Sequence, residues 1–244
     1  AAGNVLSAGQ EVAAFMPMGV GSKLKKFASP SYSFEYVLDG PMSEEDIYDA
    51  RTVGSEKWRH ILYGTSGRAD AGDLGTGRFI YALDAPFNDV TGGKNRIPDA
   101  SSFLWERSWP DLGYVSNLPS AGQLSADADN GKAATANQWV VLSNSGHYTA
   151  TGKSGLYVLD ALTGAQIAFI PTTSGVPTGR GLGGVSVVRD RARRMVAAYA
   201  GDAVGNLWRF NLGTTFSATK IFTTENSRPI YGAPAWQLAR GGKY

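Results

Sequence analysis

The strongest pattern in the chain is a pair of predicted strands at residues 199–212 (YAGDAVGNLWRFNL). An apolar run leads through small residues and Gly to an aromatic-rich strand that ends in Asn211. The same design occurs twice upstream, at residues 58–84 and 139–160, where the aromatic strands end in Asp84 and Asp160. Repetition of one strand pair at intervals of tens of residues is typical of propellers and solenoids.

Each copy of the pair is accompanied by two further short segments. A third apolar run follows the pairs, at residues 103–106, 166–170 and 220–223. Before each pair lies a segment rich in Gly, Pro and Ser, at residues 116–120, 181–187 and 229–235. Four strands per unit is the composition of a propeller blade, and small residues suit a first strand near the axis, where backbones approach closely. The sequence therefore predicts an all-β fold, a β-propeller with four-stranded antiparallel blades.

The boundaries of the elements follow from the same periodicity. The pattern predicts strands near residues 58–63, 79–84, 103–107, 139–143, 155–160, 166–170, 195–200 and 206–212. It also predicts a strand at residues 11–17 and a short helical turn at residues 22–27. We interpret residues 1–244 as one β-propeller region with about three full blades and flanking strands. Because propellers have about 4–8 blades, we expect a partial propeller or fragment whose continuation lies beyond residue 244.

Composition and charge narrow the possible functions. The chain has 244 residues, 43% of them hydrophobic, which is enough to bury the core of a β domain. It contains no Cys, which excludes disulfides, thiol catalysis and zinc-thiolate sites. A net charge of +2 provides no strong field for nucleic acid. No apolar run approaches the roughly 20 residues of a transmembrane helix.

An ordered set of segments across nearly the whole chain resembles a known family. These segments are residues 9–17, 37–41, 58–64, 81–84, 104–106, 111–114, 138–141, 156–160 and 199–212. They resemble the β-propeller domain of the type IV pilus tip-associated adhesin and biogenesis family, the PilC/PilY group. The resemblance implies export through the periplasm to the outer membrane, cell surface or pilus tip. It also implies a non-enzymatic role in pilus biogenesis, twitching and attachment, with minor pilins and a host or abiotic surface receptor as partners.

The calcium loop of this family is the one motif that the chain does not match. Family members often carry an acidic loop just before the segment that corresponds to residues 199–202. Here the hairpin at residues 188–195 has four arginines and only Asp190 as an acid. Calcium requires 6–8 oxygen ligands, so no metal site is carried over to this hairpin. The Arg cluster indicates a solvated hairpin tip, with contact to an acidic partner as the alternative.

Other candidate sites have weaker support. The loop at residues 127–131 (DADNG) starts like a calcium loop but lacks the later Glu, and residues 72–77 contain a Gly-x-Gly with no helix after it. The acidic run at residues 44–46 is interpreted as a solvated loop. Ser145 lacks the Gly-x-Ser-x-Gly context of an exposed nucleophile. His60 and His147 could meet in space, but a packed or hydrogen-bonded role is the simpler interpretation.

The aromatic residues favour packing over ligand binding. Six tryptophans recur at corresponding strand positions, which indicates core and interblade packing rather than sugar stacking. They are Trp58, Trp105, Trp109, Trp139, Trp208 and Trp236. An exposed position remains an alternative for Trp109, beside Pro110, whereas Trp208 is expected to be buried. The sequence thus assigns no catalytic, cofactor-binding or metal-ligating residue, although calcium binding elsewhere stays open.

Two alternative functions remain. Residues 159–164 (LDALTG) resemble the repeat of quinoprotein dehydrogenases, with Phe169 near the position where that repeat has a closing Trp. A glycan-binding propeller is the other alternative, for which the sequence offers no cluster of sugar-binding residues.

Overall fold

The computed structural model describes residues 11, 13–21, 23–51, 58–69, 77–85, 98–125, 138–149, 152–172, 181–213 and 215–237. Within these ranges the chain forms twelve strands and four short helical turns. The strands are β1 Met42–Tyr48, β2 Trp58–Thr65, β3 Ile80–Asp84, β4 Phe103–Arg107, β5 Ser120–Gln123, β6 Trp139–Asn144, β7 Gly155–Asp160, β8 Gln166–Pro171, β9 Leu182–Arg189, β10 Met195–Asp202, β11 Asn206–Asn211 and β12 Ser217–Thr223. The turns are α1 Met18–Gly21, α2 Leu24–Phe27 and two 3₁₀ turns, Ala100–Ser102 and Glu225–Ser227.

The strands form three antiparallel sheets in which neighbours in sequence are neighbours in space. Blade 1 is β1-β2-β3-β4, blade 2 is β5-β6-β7-β8 and blade 3 is β9-β10-β11-β12. β1 contacts β5 and β5 contacts β9, whereas β8 contacts β12. The first strands therefore lie together on one side of the assembly and the fourth strands on the other, as in a propeller. The predicted four-stranded antiparallel units are confirmed.

Four predicted elements differ from the structure. The segment at residues 116–120 was expected as the first strand of its unit, but that strand, β5, begins only at Ser120. The acidic run at residues 44–46 lies in strand β1, where exposure alternates along the strand, and not in a loop. The described residues of 11–17 form no strand, because Phe15 packs against Tyr81 and Phe103 with ring centroids 5.5 Å apart. The backbone N–H of Met18 then donates to the Glu106 carboxylate at 2.8 Å. Tertiary contacts therefore replace ladder pairing in this segment.

The segment at residues 229–235 also forms no strand. It contacts blade 3 through two hydrogen bonds, from Gly184 N to Tyr231 O at 2.9 Å and from Ile230 N to Asp202 O at 3.0 Å. A Cβ atom on Gly184 would stand 2.6 Å from Ala233 N. This close backbone approach agrees with the expectation that small residues mark the first strand of a blade.

Blade 2 is buried on both faces. Its β6 and β7 side chains alternate in direction, as strand geometry requires. Val140, Leu142 and Val158 pack with Trp208 and Phe210 of blade 3. On the opposite face, Val141, Tyr157 and Leu159 belong to a second cluster that includes Tyr63 and Trp105 of blade 1.

The same hydrogen bond recurs at the turn from second to third strand of every blade. A side-chain oxygen at the end of the second strand accepts a backbone N–H at the start of the third. The pairs are Ser66 Oγ with Phe79 N at 3.0 Å, Ser145 Oγ with Gly155 N at 3.2 Å, and Asp202 Oδ1 with Asn206 N at 2.9 Å. The repeat in the sequence is therefore also a repeat of backbone geometry.

Asp202 extends this turn into a buried polar network. It has no solvent exposure, and it accepts hydrogen bonds from Val204 N at 3.0 Å and from Asn206 Nδ2 at 2.9 Å. Its Oδ2 also accepts the indole Nε1–H of Trp208 at 2.8 Å. Buried carboxylates are tolerated only when hydrogen-bonded in this way. The network fixes the Trp208 ring in the core between blades 2 and 3.

Burial of Trp208 yields a stability prediction with a matched control. The side chain is 1% exposed, so Trp208→Ala should reduce the free energy of unfolding by about 3–5 kcal/mol through lost contacts and a cavity. Trp58 is 62% exposed, so Trp58→Ala should cost only about 1 kcal/mol or less. Urea unfolding of both variants measures the difference, and equal losses would contradict the assigned burial.

Candidate functional site

In the arginine-rich hairpin between β9 and β10, the single acid, Asp190, is paired with Arg194 of the same hairpin. Asp190 Oδ1 accepts the backbone N–H of Arg194 at 2.9 Å, and Oδ2 accepts Arg194 Nε at 3.0 Å. Arg194 Nη2 also lies 2.9 Å from Oδ2. Burial alone would raise the pKa of Asp190, but hydrogen bonds from Arg194 and its positive charge outweigh burial and lower that pKa. The guanidinium thus occupies the position at which a cation would meet this carboxylate.

Arg189 links the first strands of all three blades. Its Nη2 donates to Ala121 O of β5 at 2.7 Å and lies 3.6 Å from Glu45 Oε2 of β1. Burial raises the pKa of Glu45, while the charges of Arg189 and Arg193 oppose that rise. Part of the arginine cluster is therefore structural, whereas Arg191 and Arg193 are exposed at the hairpin tip.

His60 is hydrogen-bonded through both ring nitrogens. Its Nδ1 lies 2.9 Å from Asp46 Oδ1 and its Nε2 lies 3.3 Å from Glu44 Oε2, both on the neighbouring strand β1. The ring is thus held by two carboxylates on the sheet face, as the hydrogen-bonded interpretation expects. Among the residues that the structure describes, no group of three or more His, Asp or Glu side chains could hold a metal ion.

Ser145 and His147 occupy the turn between β6 and β7. Ser145 is fully buried and its Oγ accepts the Gly155 N–H, so the hydroxyl has a structural role. The His147 ring lies edge-on to Tyr231, with ring centroids 4.6 Å apart. Burial lowers the pKa of His147, which favours a neutral imidazole. Because the partners of His60 lie on β1, the two histidines occupy separate environments.

A cleft of about 520 Å³ lies beside His147, at the strand-turn end of blades 2 and 3. Its walls come from the β6–β7 turn, the β10–β11 turn and the segment after β12. The lining residues are His147, Tyr148, Ala203, Asn226, Ser227, Pro229 and Tyr231. Sequence reasoning missed this cleft, because its residues come from three distant segments and share no pattern. Only the repeated turn between second and third strands could have indicated one of its walls.

The tryptophans are not equivalent in exposure. Trp105 and Trp208 are buried, as interblade packing requires. Trp109 is half-buried and stacks on Tyr157 with centroids 4.5 Å apart. Core burial was wrong for Trp58 and Trp236, which are 62% and 41% exposed, although Trp58 touches Trp139 of blade 2 edge-on at 5.8 Å. Trp58 is the first residue of β2, so its ring lies at the end of the strand.

The segment that resembles a quinoprotein repeat, residues 159–164, covers the end of β7 and the turn that leads to β8 within blade 2. Asp160 Oδ1 accepts the backbone N–H groups of Leu162 at 3.1 Å and Thr163 at 2.8 Å. The carbonyl of Ala161 accepts Tyr63 Oη and Trp105 Nε1, each at 3.1 Å. These contacts give the segment a packing role at the joint between blades 1 and 2. The loop at residues 127–131 and residues 72–76 lie outside the described residues.

The hydrogen bond from the Tyr63 hydroxyl to the Ala161 carbonyl requires a neutral tyrosine. Burial, with the negative charges of Asp160 and Glu45, raises the pKa of Tyr63. Its hydroxyl therefore keeps its proton and remains a donor.

In the part of the chain that the structure describes, no helix has the length and apolar character to cross a bilayer.

Comparison with known proteins gives one consistent group. A PilY1 homolog of Xylella fastidiosa (strain Temecula1), named a type IV pilus biogenesis factor, is 28% identical over 239 residues. These cover 95% of this chain and 17% of that protein. The type IV pilus biogenesis factor PilY1 of Pseudomonas aeruginosa (strain PAO1) is 30% identical over 243 residues, which cover 96% of this chain and 18% of that protein. The chain therefore spans less than a fifth of the length of these relatives.

The structural and family comparisons agree with the fold. The crystal structure of the Pseudomonas aeruginosa PilY1 C-terminal domain superimposes with a TM-score of 0.66 at 23% identity, over 97% of this chain and 47% of that chain. At that identity the likeness establishes the β-propeller fold. The family model for the PilY1 beta-propeller domain matches residues 16–238. This match covers nearly the whole chain, and the chain therefore belongs to the PilY1 β-propeller family.

Proposed function

We propose that this domain is a non-enzymatic module of a type IV pilus-associated protein that acts in pilus biogenesis, surface attachment and twitching motility. The observation that carries the proposal is the family match over residues 16–238, together with relatives named type IV pilus biogenesis factors. Such a protein is exported and works at the cell surface, the pilus tip or the outer membrane. The structural roles of Ser145, His60 and Asp160 support binding rather than catalysis.

The outer strand β12 is our candidate contact for a minor pilin. Six of its seven residues are exposed, including Ile221 at 48% and Phe222 at 56%. Within the described residues, β12 is the last strand of its sheet and pairs only with β11. An exposed sheet edge offers backbone groups for strand addition, and adjacent apolar side chains give such a contact specificity. The outer strand β8 is less exposed than β12.

A charge on β12 should weaken this contact. Phe222→Asp should reduce minor-pilin binding at least about tenfold, because an unpaired carboxylate would be desolvated at the interface. Phe34, 74% exposed and outside every strand, provides the matched control Phe34→Asp, which should bind normally. Pull-down with purified minor pilins measures binding, and surface piliation and twitching of a deletion strain measure the role in the cell.

Three results would contradict this proposal or part of it. Normal piliation, twitching and attachment in the deletion strain would refute the pilus role. Equal pilin binding by Phe222→Asp and wild type would refute only the β12 contact. A quinone-dependent dehydrogenase activity of the purified protein would replace the proposal with an enzymatic function.

We also propose that the hairpin at residues 188–195 binds no calcium. Both oxygens of Asp190 accept hydrogen bonds from Arg194, and the hairpin contains no second acid. Calorimetry should therefore detect no calcium binding that depends on Asp190, and Asp190→Ala should leave any calcium-linked stabilisation intact. If calcium binds and Asp127→Ala or Asp129→Ala abolishes it, the loop at residues 127–131 is the site.

The Asp190–Arg194 pair should make the free energy of unfolding depend on pH. The pKa of folded Asp190 lies below its ordinary value of 3.8, so its contribution is present well above pH 3.8 and is lost as pH falls through the folded pKa. Asp190→Asn should cost about 0.5–1 kcal/mol at neutral pH, the range for partly exposed charge pairs. Thermal unfolding across pH tests this expectation, and a difference from wild type that persists unchanged in acid would contradict it.

A further inference from the structure

We propose that the cleft between the β6–β7 turn and the segment after β12 binds a neutral saccharide. The cleft lies where second strands turn into third strands, beside the first strand β9, because Tyr231 O accepts the Gly184 N–H. Concave sites with a few convergent polar groups are the usual ligand sites of proteins. The volume of about 520 Å³ falls within the roughly 300–1,000 Å³ typical of such clefts.

The lining selects an uncharged ligand. None of its seven residues is a carboxylate, a lysine or an arginine. His147 is the only titratable group besides the tyrosines, and burial lowers its pKa, so the imidazole is neutral at physiological pH. An ionic ligand would lose its hydration without gaining a counter-charge, which makes its burial unfavourable.

The same lining combines aromatic surface with hydrogen-bonding groups. Tyr148 is 60% exposed and Tyr231 is 50% exposed, so both rings offer accessible surface. Asn226 provides an amide and Ser227 a hydroxyl at the wall. A sugar ring presents C–H groups that pack on aromatic rings and hydroxyl groups that hydrogen-bond to amides and hydroxyls. A purely apolar ligand would leave these polar groups without partners.

A buried polar atom provides an independent observation. His147 is 8% exposed, and its Nδ1 has no hydrogen-bond partner. Such unpaired atoms are uncommon in folded proteins, so the wall that His147 forms is an unusual position within the fold. The backbone at Tyr148, Asn226 and Ser227 is in the left-handed region, with φ of 58°, 56° and 52°. The Thr224 hydroxyl donates to the Arg228 carbonyl at 2.8 Å. This hydrogen bond fixes the segment after β12, which forms one wall of the cleft.

The saccharide site is separate from the proposed pilin contact. None of its lining residues belongs to β12, although β12 ends at Thr223, three residues before Asn226 of the lining. The two sites can therefore be tested independently, and the saccharide proposal does not rest on pilin binding.

The test is titration of the purified protein with defined saccharides. The neutral probes are maltotriose, chitotriose and N-acetyllactosamine, and the anionic probe is sialyllactose, with binding followed by saturation-transfer NMR and calorimetry. We expect saturable binding of at least one neutral probe. Absence of binding of all neutral probes at millimolar concentration, or binding of sialyllactose alone, would overturn the proposal.

Variants locate the binding. Tyr231→Ala should weaken it about tenfold, as should Tyr148→Asn, since Asn tolerates positive φ and removes only the ring. Tyr32 is 42% exposed and distant in sequence from every lining segment, so Tyr32→Ala is the matched control with unchanged affinity. Wild-type affinity in both cleft variants would place the saccharide elsewhere and refute this site.

Footprinting of the wild-type protein covers the case in which a variant fails to fold. Oxidative labelling read by mass spectrometry should show that the bound neutral saccharide protects Tyr148 and Tyr231 but not Tyr32. Equal labelling of Tyr148 and Tyr231 with and without saturating saccharide would overturn the assignment, whatever the variants show.

Discussion

Burial of the second blade on both of its faces is the constraint on which the rest of this structure depends. A sheet whose side chains alternate between two apolar faces needs a neighbour on each side. Val140 and Leu142 face blade 3, whereas Val141 and Leu159 face blade 1, so consecutive residues of one strand belong to two different cores. A single blade could not satisfy this pattern, which is why stability depends on the stacking of repeats.

Polar groups set how the blades join. The Ala161 carbonyl accepts Tyr63 and Trp105 from blade 1, and Asp202 holds Trp208 against blade 2. These hydrogen bonds lie inside apolar contacts, where an unmatched donor would be costly. They therefore fix the orientation of the large aromatic rings, in addition to the stability that these rings provide. The apolar contacts supply most of the energy, and the hydrogen bonds select one orientation of each ring.

The repeat predicted most strands because apolar alternation and turn residues act locally. β4, β7 and the burial of Trp208 were confirmed for this reason. β1 was missed because its three consecutive acids suggested a solvated loop, although pairing with β2 and exposure of alternate residues allow charges on a strand. The cleft beside His147 was not predictable, because chain segments far apart in sequence meet there only through the stacking of blades.

The division between core and surface explains how such a domain can vary its partners. Residues that face a neighbouring blade are constrained on every side, whereas the strand turns and the outer edge are constrained on one side only. The turn position occupied by Ser66, Ser145 and Asp202 carries the same backbone hydrogen bond with different side chains, so the scaffold tolerates change even at a repeated structural position. Beyond these positions, Tyr148 and Phe222 belong to neither interblade core, so core packing does not constrain their side chains. A propeller of this family can thus acquire a new ligand at its turns without altering the contacts that hold its blades together.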